Sequence, residues 1–263
     1  MFRHSRAMPR SIVSRSLEPL VAVLWGILLI WTAWLAVVWI APVGASALGL
    51  IGGDSIPKNA DLRRAVLLLA ENADLVWLTL AVMNLHLVLT RAHGLRSARA
   101  WLAFSAGGAL VLGVMNAGTG VFFGRLFFGG ALGIRLFGVP SGWVLLWAVL
   151  VIGAREAVLW MMPRASHRLT AILTACIVLL TVLNADWPAR FVRGWWGWQH
   201  GEAGGVPWRF WLSWFVWPGL MAFAMREKDV ASAAAARSGK PVILLAALNA
   251  IALAARLRHG WIS

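Results

Sequence analysis

Long apolar runs constrain the fold of this chain more than any other feature. Seven segments are dominated by Leu, Val, Ala, Ile and Trp, and roughly twenty such residues span the hydrocarbon core of a bilayer as a helix. The predicted spans are Leu20–Ala41, Ala65–Thr90, Trp101–Ala117, Ser141–Met162, Leu169–Ala185, Trp208–Met225 and Pro241–Leu257. The chain is also 60% hydrophobic and only 13% charged, with a mean hydropathy of +0.76. We therefore predict an all-α, polytopic integral membrane protein with about seven transmembrane helices.

The basic residues indicate topology rather than nucleic-acid binding, because most of them flank apolar runs although the net charge is +14. Residues 1–19 are predicted to be a basic cytoplasmic tail and residues 20–263 a single transmembrane domain. The basic segments Arg91–Arg99 and Arg226–Lys240 fall on the same side as this tail, so we predict a cytoplasmic N-terminus in the bacterial inner membrane. Ala45-Ser46-Ala47 resembles a signal-peptidase site, but the apolar run before it is longer than that of a signal peptide, which favours a retained helix.

The segment Thr119–Pro140 interrupts the series of apolar runs with six glycines and five phenylalanines. Each glycine inside a helix costs about 0.5–1 kcal/mol relative to alanine. Non-helical backbone near a membrane is tolerated only where protein or a water-filled cavity surrounds it. We therefore predict a re-entrant or interfacial element that shapes a pocket.

Ionisable groups at membrane depth are expensive, so each is a functional hypothesis. Glu71 and Asp74 are three residues apart on one predicted helix face, where two carboxyl groups can divide acid and base roles. Alternatively, both lie in the exposed first turn of a helix that begins near Glu71. His86 and His93 are seven apart and match no metal motif, and a single cysteine, Cys176, excludes multi-cysteine sites. We predict no metal and no cofactor.

Tryptophan usage points to more than interfacial anchoring, since the chain has eighteen Trp and no Tyr. A tryptophan-rich stretch from Trp195 to Trp214 follows Asp186, which closes the fifth predicted span. One interpretation is a cavity lined by indole rings with a carboxyl group at its edge. The other is a non-cytoplasmic loop with an ordinary aromatic belt and an aspartate that caps a turn.

These two regions hold an ordered series of short motifs. The residues concerned are Thr119, Gly120, Phe123, Gly124, Leu132, Gly133, Gly138, Val139, Pro140, Trp147, Asp186, Pro188, Trp196, Trp198, Gly205, Val206, Pro207, Phe210 and Trp214. The series resembles T-G-x-x-F-G-x-Y-x-Y, L-G-x-x-x-x-G-V-P, an Asp/Pro element, W-x-W and G-V-P-x-x-N-F-x-x-W of the carotenoid biosynthesis membrane proteins, which include bisanhydrobacterioruberin hydratase and carotenoid 1′,2′-hydratases. The chain is a divergent member: Leu126 and Phe128 replace the tyrosines, Arg209 replaces the asparagine, and Gly113 lies near the position of an acidic residue, with Asn116 as the nearest polar substitute.

The resemblance implies acid-catalysed addition of water to a terminal isoprenoid double bond of a carotenoid. In that reaction an acid protonates the less substituted carbon, aromatic faces stabilise the tertiary cation, and a base helps to deliver water. Asp186, Glu71 and Asp74 are the candidates for the acid and the base. Arg125 or Arg209 is predicted to set the pKa values of these carboxyl groups. The predicted substrate contacts are Gly120, Phe123, Gly124, Arg125, Phe128, Trp196, Trp198, Pro207, Arg209 and Trp214.

Two other functions stay open from the sequence. Loss of the family's tyrosines and polar groups suits a non-catalytic paralogue that binds carotenoid or lipid, or that serves as a subunit of a membrane complex such as a photosynthetic one. A transporter is the third, although no inverted repeat or pair of half-helices is visible. For both the hydratase and the non-catalytic paralogue, the expected partners are a carotenoid or other long isoprenoid and membrane lipids.

Overall fold

The computed structural model of the chain describes residues 18–40, 59–198, 206–226 and 237–260, and this part is predominantly helical. Its helices are α1 Glu18–Ile40, α2 Ala60–Glu71, α3 Ala73–His93, α4 Leu95–Thr119, α5 Ser141–Met161, α6 His167–Phe191, α7 Trp208–Ala224 and α8 Lys240–Gly260. Its short strands are β1 Leu126–Phe128, β2 Arg135–Leu136, β3 Val139–Pro140 and β4 Trp196–Trp198. The predicted all-α membrane class is confirmed.

Six helices of the described part are long and apolar enough to cross a membrane, namely α1, α3, α4, α5, α6 and α8. The remaining predicted span corresponds to α7, which has 17 residues and is therefore about 25 Å long. That length is at the lower limit for a crossing helix, so a seventh span stays a prediction.

The predicted span Ala65–Thr90 is divided at Asn72, which corrects the sequence interpretation. Residues before Asn72 belong to α2 and residues after it to α3. The Asn72 side-chain amide donates to the Leu68 carbonyl at 2.9 Å, and such local side-chain bonds compete with helical backbone bonds. Only Ala70 is buried in α2, so this helix lies on the surface while α3 enters the core.

Helix α5 is the centre of the bundle because neighbouring helices cover it on every side. It packs against α3, α4, α6, α7 and α8. Of its most apolar 18-residue segment, 78% is buried. By contrast, only 22% of the most apolar 18-residue segment of α1 is buried. Apart from Glu18 in its first turn, the side chains that α1 leaves exposed are apolar, as expected of a helix whose outer face contacts lipid.

Successive spanning helices run antiparallel, so the loops collect at two ends of the molecule. At one end, Arg91 at the end of α3 pairs with Glu18 at the start of α1 at 3.8 Å, and Arg155 near the end of α5 donates to the Met225 carbonyl after α7 at 2.9 Å. We call this the basic end. The other end, called the aromatic end, holds the predicted interruption 119–140 and the segment that follows α6.

Several sequence predictions fall on residues outside the described part. They are the tail residues 1–17, the signal-peptidase-like Ala45-Ser46-Ala47, the motif residue Gly205, and residues 227–236 of the basic segment Arg226–Lys240. The division into a tail of residues 1–19 and one domain of residues 20–263 also stays a prediction.

Candidate functional site

The Gly/Phe-rich interruption and the tryptophan-rich stretch lie side by side. Strands β1 and β4 pair antiparallel with Leu126 opposite Trp198, Phe127 opposite Gly197 and Phe128 opposite Trp196. The predicted non-helical character of the interruption is confirmed, because it consists of turns and short strands between α4 and α5. Two regions about seventy residues apart in the sequence thus form one site at the aromatic end.

Asn116 holds the turn that carries the first family motif. Its side-chain oxygen accepts hydrogen bonds from the backbone amides of Phe122 at 3.1 Å and Phe123 at 2.8 Å. Its amide nitrogen donates to the Gly124 carbonyl at 3.0 Å. One buried side chain therefore satisfies three backbone groups where α4 ends and no helical partner remains for them. The sequence singled out Asn116 only as a polar substitute, since these bonds require the folded turn.

Gly120 and Gly124 both have left-handed backbone conformations, with φ of +63° and +77°, which favour glycine over residues with a Cβ. A Cβ atom on Gly124 would also lie 3.0 Å from the Pro207 ring. The indole of Trp198 closes the same turn by donating to the Phe123 carbonyl at 3.0 Å. Gly120, Gly124, Pro207 and Trp198 therefore shape the backbone around the site.

A cluster of six aromatic side chains occupies the interior of this end of the bundle. Its members, which we call the aromatic cluster, are Phe123, Trp143, Trp147, Trp196, Phe210 and Trp214. Trp147 and Trp214 are stacked with ring centroids 4.4 Å apart, and Phe123 presents its edge to Trp143 at 5.4 Å. Phe128 packs onto Trp143 from β1 at 5.1 Å.

The indole N–H groups of Trp143, Trp147 and Trp214 have no hydrogen-bond acceptor within the described part of the protein. All three side chains are fully buried. A buried donor without a partner costs about 1–3 kcal/mol, so three in one cluster require an explanation such as a bound water or ligand. Sequence reasoning had no signal for this feature, which depends on how the rings face one another.

Asp186 lies at the edge of the aromatic cluster and is only 3% exposed. Its Oδ1 accepts a hydrogen bond from the Trp196 indole at 3.1 Å, and its Oδ2 pairs with Arg190 at 2.6 Å. The Arg190 guanidinium also lies 4.9 Å from the Trp198 ring centroid. The sequence prediction overlooked Arg190, although its position four residues after Asp186 on a helix is the spacing at which opposite charges meet.

Asp74, the second predicted catalytic carboxylate, is enclosed by partners. Its Oδ1 accepts from the Trp39 indole at 2.8 Å, and its Oδ2 accepts from Arg193 Nε at 2.7 Å. Arg193 Nη2 also donates to the Ala70 carbonyl at 2.9 Å. The pair ties α1, α2, α3 and the segment after α6 together. Sequence reasoning missed Arg193, because 119 residues separate it from Asp74.

A line of indole rings connects the surroundings of the two aspartates. Trp39, which donates to Asp74, lies edge-on to Trp195 with centroids 5.2 Å apart. Trp195 in turn lies 5.6 Å from Trp196, which donates to Asp186. The two carboxyl groups therefore belong to one continuous packing unit.

The other predicted polar residues lie at the surface of the aromatic end. Glu71 is exposed at the last position of α2, and the break at Asn72 separates it from Asp74. Arg125 and Arg209 are also exposed, and Arg209 is 5.9 Å from the neighbouring Trp208 ring. Arg190 and Arg193, rather than Arg125 and Arg209, pair with the buried aspartates.

Among the residues that the structure describes, no three His, Cys, Asp or Glu side chains lie close enough together to hold a metal ion. The fold and this site define an α-helical integral membrane protein with a buried aromatic cluster flanked by carboxylates. The sequence model described as "Carotenoid biosynthesis protein" matches residues 73–260, well over half of the chain. The chain therefore belongs to the carotenoid biosynthesis protein family. Neither a curated protein nor a solved structure gives a significant match.

Proposed function

We propose that this family member adds water to a terminal isoprenoid double bond of a carotenoid. One observation carries the proposal: the Asp186 carboxyl group is buried at the edge of the aromatic cluster and is bonded to a member of that cluster, Trp196. A buried carboxyl group supplies a proton, and aromatic faces suit both an apolar polyene and the cation that protonation creates.

In the first step Asp186 gives its proton to the less substituted carbon of the double bond. The π electrons form the new C–H bond, and the other carbon becomes a tertiary cation. Desolvated aromatic faces stabilise such a cation by about 2 kcal/mol or more, and the rings offer no nucleophile that could trap it. Arg190, 2.6 Å from Oδ2, stabilises the carboxylate that remains.

In the second step water attacks the tertiary cation and returns a proton to the Asp186 carboxylate. The net reaction adds one water molecule to the double bond and regenerates the carboxyl group. The N–H groups of Trp143, Trp147 and Trp214, which have no acceptor within the described residues, support this step. They are suitable donors for holding a water or the hydroxyl group of the product.

The remaining predicted site residues take supporting roles in this proposal. Gly120, Gly124 and Pro207 set the shape of the turn that carries Phe123. Asp74 positions the aromatic wall through its bonds to Trp39 and Arg193. Direct proton transfer by Asp74 or Glu71, and substrate contact by Arg125 or Arg209, stay predictions.

One specific observation favours the second candidate, a non-catalytic protein that binds carotenoid or lipid, or that is a subunit of a membrane complex. The rings of the aromatic cluster fill the space between the helix ends by packing on one another, with Phe123, Phe210 and the stacked pair Trp147 and Trp214 fully buried. Phe128 adds a further apolar side chain where the family pattern has tyrosine. A cluster that is already packed serves stability as well as catalysis.

Co-expression of the chain with the enzymes of lycopene or γ-carotene synthesis in a bacterial host tests the proposal. The wild type is expected to yield a pigment heavier by one water, detected by liquid chromatography and mass spectrometry. Asp186→Asn should lower the yield at least about a hundredfold, the lower limit for loss of general acid–base catalysis. Asp61→Asn, which changes an exposed carboxylate in α2, is the matched control.

The outcomes separate the two candidates when the amount of each variant in the membrane is measured alongside the pigments. Unchanged pigment that co-purifies with the wild-type protein supports the binding function. If Asp186→Asn yields as much hydrated pigment as the wild type, the result contradicts the role of Asp186 but not the proposed reaction.

A further inference from the structure

A cavity opens at the basic end of the bundle, on the opposite side of the molecule from Asp186. Its volume is about 340 Å³, within the range of small-molecule sites. The polar residues that line it are Arg155, His167, Thr170, Arg226 and Arg237. Neither the aromatic cluster nor the proposed hydration involves this cavity, so its role is a separate question.

The charge of the lining favours an anion. Three of the eight lining residues are arginines and none of the eight is acidic. The cavity also includes the first turn of α6, which begins at His167, and the partial positive charge of a helix N-terminus adds to the attraction for an anion.

Arg155 is held rigidly in the wall of the cavity. Its Nη1 pairs with Glu156 at 2.6 Å, its Nη2 donates to the Met225 carbonyl at 2.9 Å, and its guanidinium lies 4.4 Å from the centroid of Trp101. Glu156 is buried and is also bonded to His93, with both of its oxygens 3.2 Å from His93 Nε2. A positioned guanidinium loses less conformational entropy when it binds a ligand.

The other walls of the cavity are connected in a similar way. His167 Nε2 must donate to the Phe223 carbonyl, 2.5 Å away, because a carbonyl oxygen can only accept. Arg237 Nη1 donates to the Leu159 carbonyl at 3.3 Å. These bonds join the ends of α5 and α7, the start of α6 and the segment before α8. These bonds therefore hold the helix ends that form the walls of the cavity in place.

We propose that this cavity binds a phosphate group, carried either by an anionic lipid or by free inorganic phosphate. Guanidinium groups match the geometry of phosphate oxygens and form charge-assisted hydrogen bonds with them. The location also fits, because the cavity lies where the spanning helices end, and basic pockets between such helix ends bind phosphate-bearing lipid headgroups.

Thermal unfolding of the purified full chain in a neutral detergent tests the proposal. The probes are dioleoyl-phosphatidylglycerol, oleate as an anionic lipid without phosphate, and inorganic phosphate against chloride at equal ionic strength. A ligand that binds the folded protein but not the unfolded chain raises the unfolding temperature, and the rise grows with ligand concentration relative to the dissociation constant. Stabilisation by phosphatidylglycerol alone identifies a lipid headgroup as the ligand, and stabilisation by inorganic phosphate as well identifies phosphate itself. Equal stabilisation by oleate, or none by any probe, overturns the proposal.

A pair of charge-matched variants locates the effect. Arg226→Gln removes a cavity arginine, and Arg168→Gln removes an exposed arginine of the same end that does not line the cavity. Arg226→Gln removes one charge-assisted hydrogen bond. We expect it to raise the dissociation constant of the stabilising probe, obtained from how the unfolding temperature depends on probe concentration, about tenfold. For Arg168→Gln we expect less than about a twofold change, since this side chain does not line the cavity. Equal effects of the two variants would mean general attraction to a basic surface and would overturn the proposal.

Discussion

At the scale of single residues, the interior of this protein depends on a few charged groups that have specific partners. The Asp74 carboxylate and the Arg193 guanidinium are both buried and 2.6 Å apart. A buried ion pair contributes little net stability compared with well-packed apolar residues, but removal of one partner leaves an uncompensated charge. Glu156 with Arg155 follows the same rule. In each pair, removal of one partner is therefore expected to cost more than the intact pair contributes.

We predict that Asp74→Asn destabilises the protein by about 3–5 kcal/mol, the usual cost of breaking a buried ion pair. Thermal unfolding in detergent measures the effect, and Asp61→Asn, at an exposed position of α2, is expected to change little. Replacing both partners, with Asp74→Leu and Arg193→Met, should restore a large part of the lost stability because no buried charge is left. A double variant no more stable than Asp74→Asn would show that the charges themselves hold the segment.

At the scale of elements, the end of α4 determines the geometry of the site. Gly120 ends the helix with a left-handed conformation, and the next residues turn back so that Phe123 reaches the aromatic cluster. Asn116 stabilises this turn from within the last turn of the helix, while Ser213 of α7 donates to the Phe122 carbonyl at 2.5 Å. A helix end fixed from two sides holds its aromatic side chain in one position, as a preorganised site requires.

We predict that Asn116→Ala loosens the turn, because the buried amides of Phe122 and Phe123 lose their acceptor and the Gly124 carbonyl keeps only the Leu126 amide. Hydrogen–deuterium exchange should show faster exchange of the Phe122 and Phe123 amides, by about tenfold or more for the loss of one to three hydrogen bonds. Asn184→Ala is the matched control, since Asn184 bonds to Asn249 in another part of the bundle. Unchanged exchange in Asn116→Ala would contradict the role assigned to Asn116.

At the scale of the whole molecule, the two ends of the bundle differ in chemistry. The basic end carries the arginines of the α3–α4 turn, of the α5–α6 loop and of the cavity. The aromatic end carries Asp74 with Arg193, Asp186 with Arg190, and the aromatic cluster. Positively charged loops remain on the cytoplasmic side during insertion. The antiparallel arrangement of the spanning helices therefore predicts that the basic end faces the cytoplasm and that the aromatic end faces away from it.

We predict this orientation for the protein in a bacterial inner membrane, and cysteine labelling tests it. In a Cys176→Ser background, Phe137→Cys introduces a thiol at a side chain of the aromatic end that is 83% exposed. Arg164→Cys introduces one in the exposed α5–α6 loop of the basic end. A membrane-impermeant maleimide should label the first variant in intact spheroplasts and the second only after lysis, and the reverse pattern would show an inverted topology.

Particular residues show how much of the fold and site the sequence could predict. Spans such as Ser141–Met162 were predicted to within one residue of α5, because apolar runs of membrane length have few alternatives to a helix. The division of the second span was missed, since a single Asn72 gives too weak a signal among apolar neighbours. Asp186 was singled out from its position, but its contacts with Trp196 and Arg190 were not predicted.

The sequence by itself determined that the chain is a helical membrane protein and a member of the carotenoid biosynthesis family, because hydrophobic length and motif order are local properties of the chain. Tertiary structure alone decided which residues meet: Asp74 with Arg193, Asn116 with the turn at Phe123, and the six rings of the aromatic cluster. Those contacts depend on how the helices pack on one another, which no local pattern encodes.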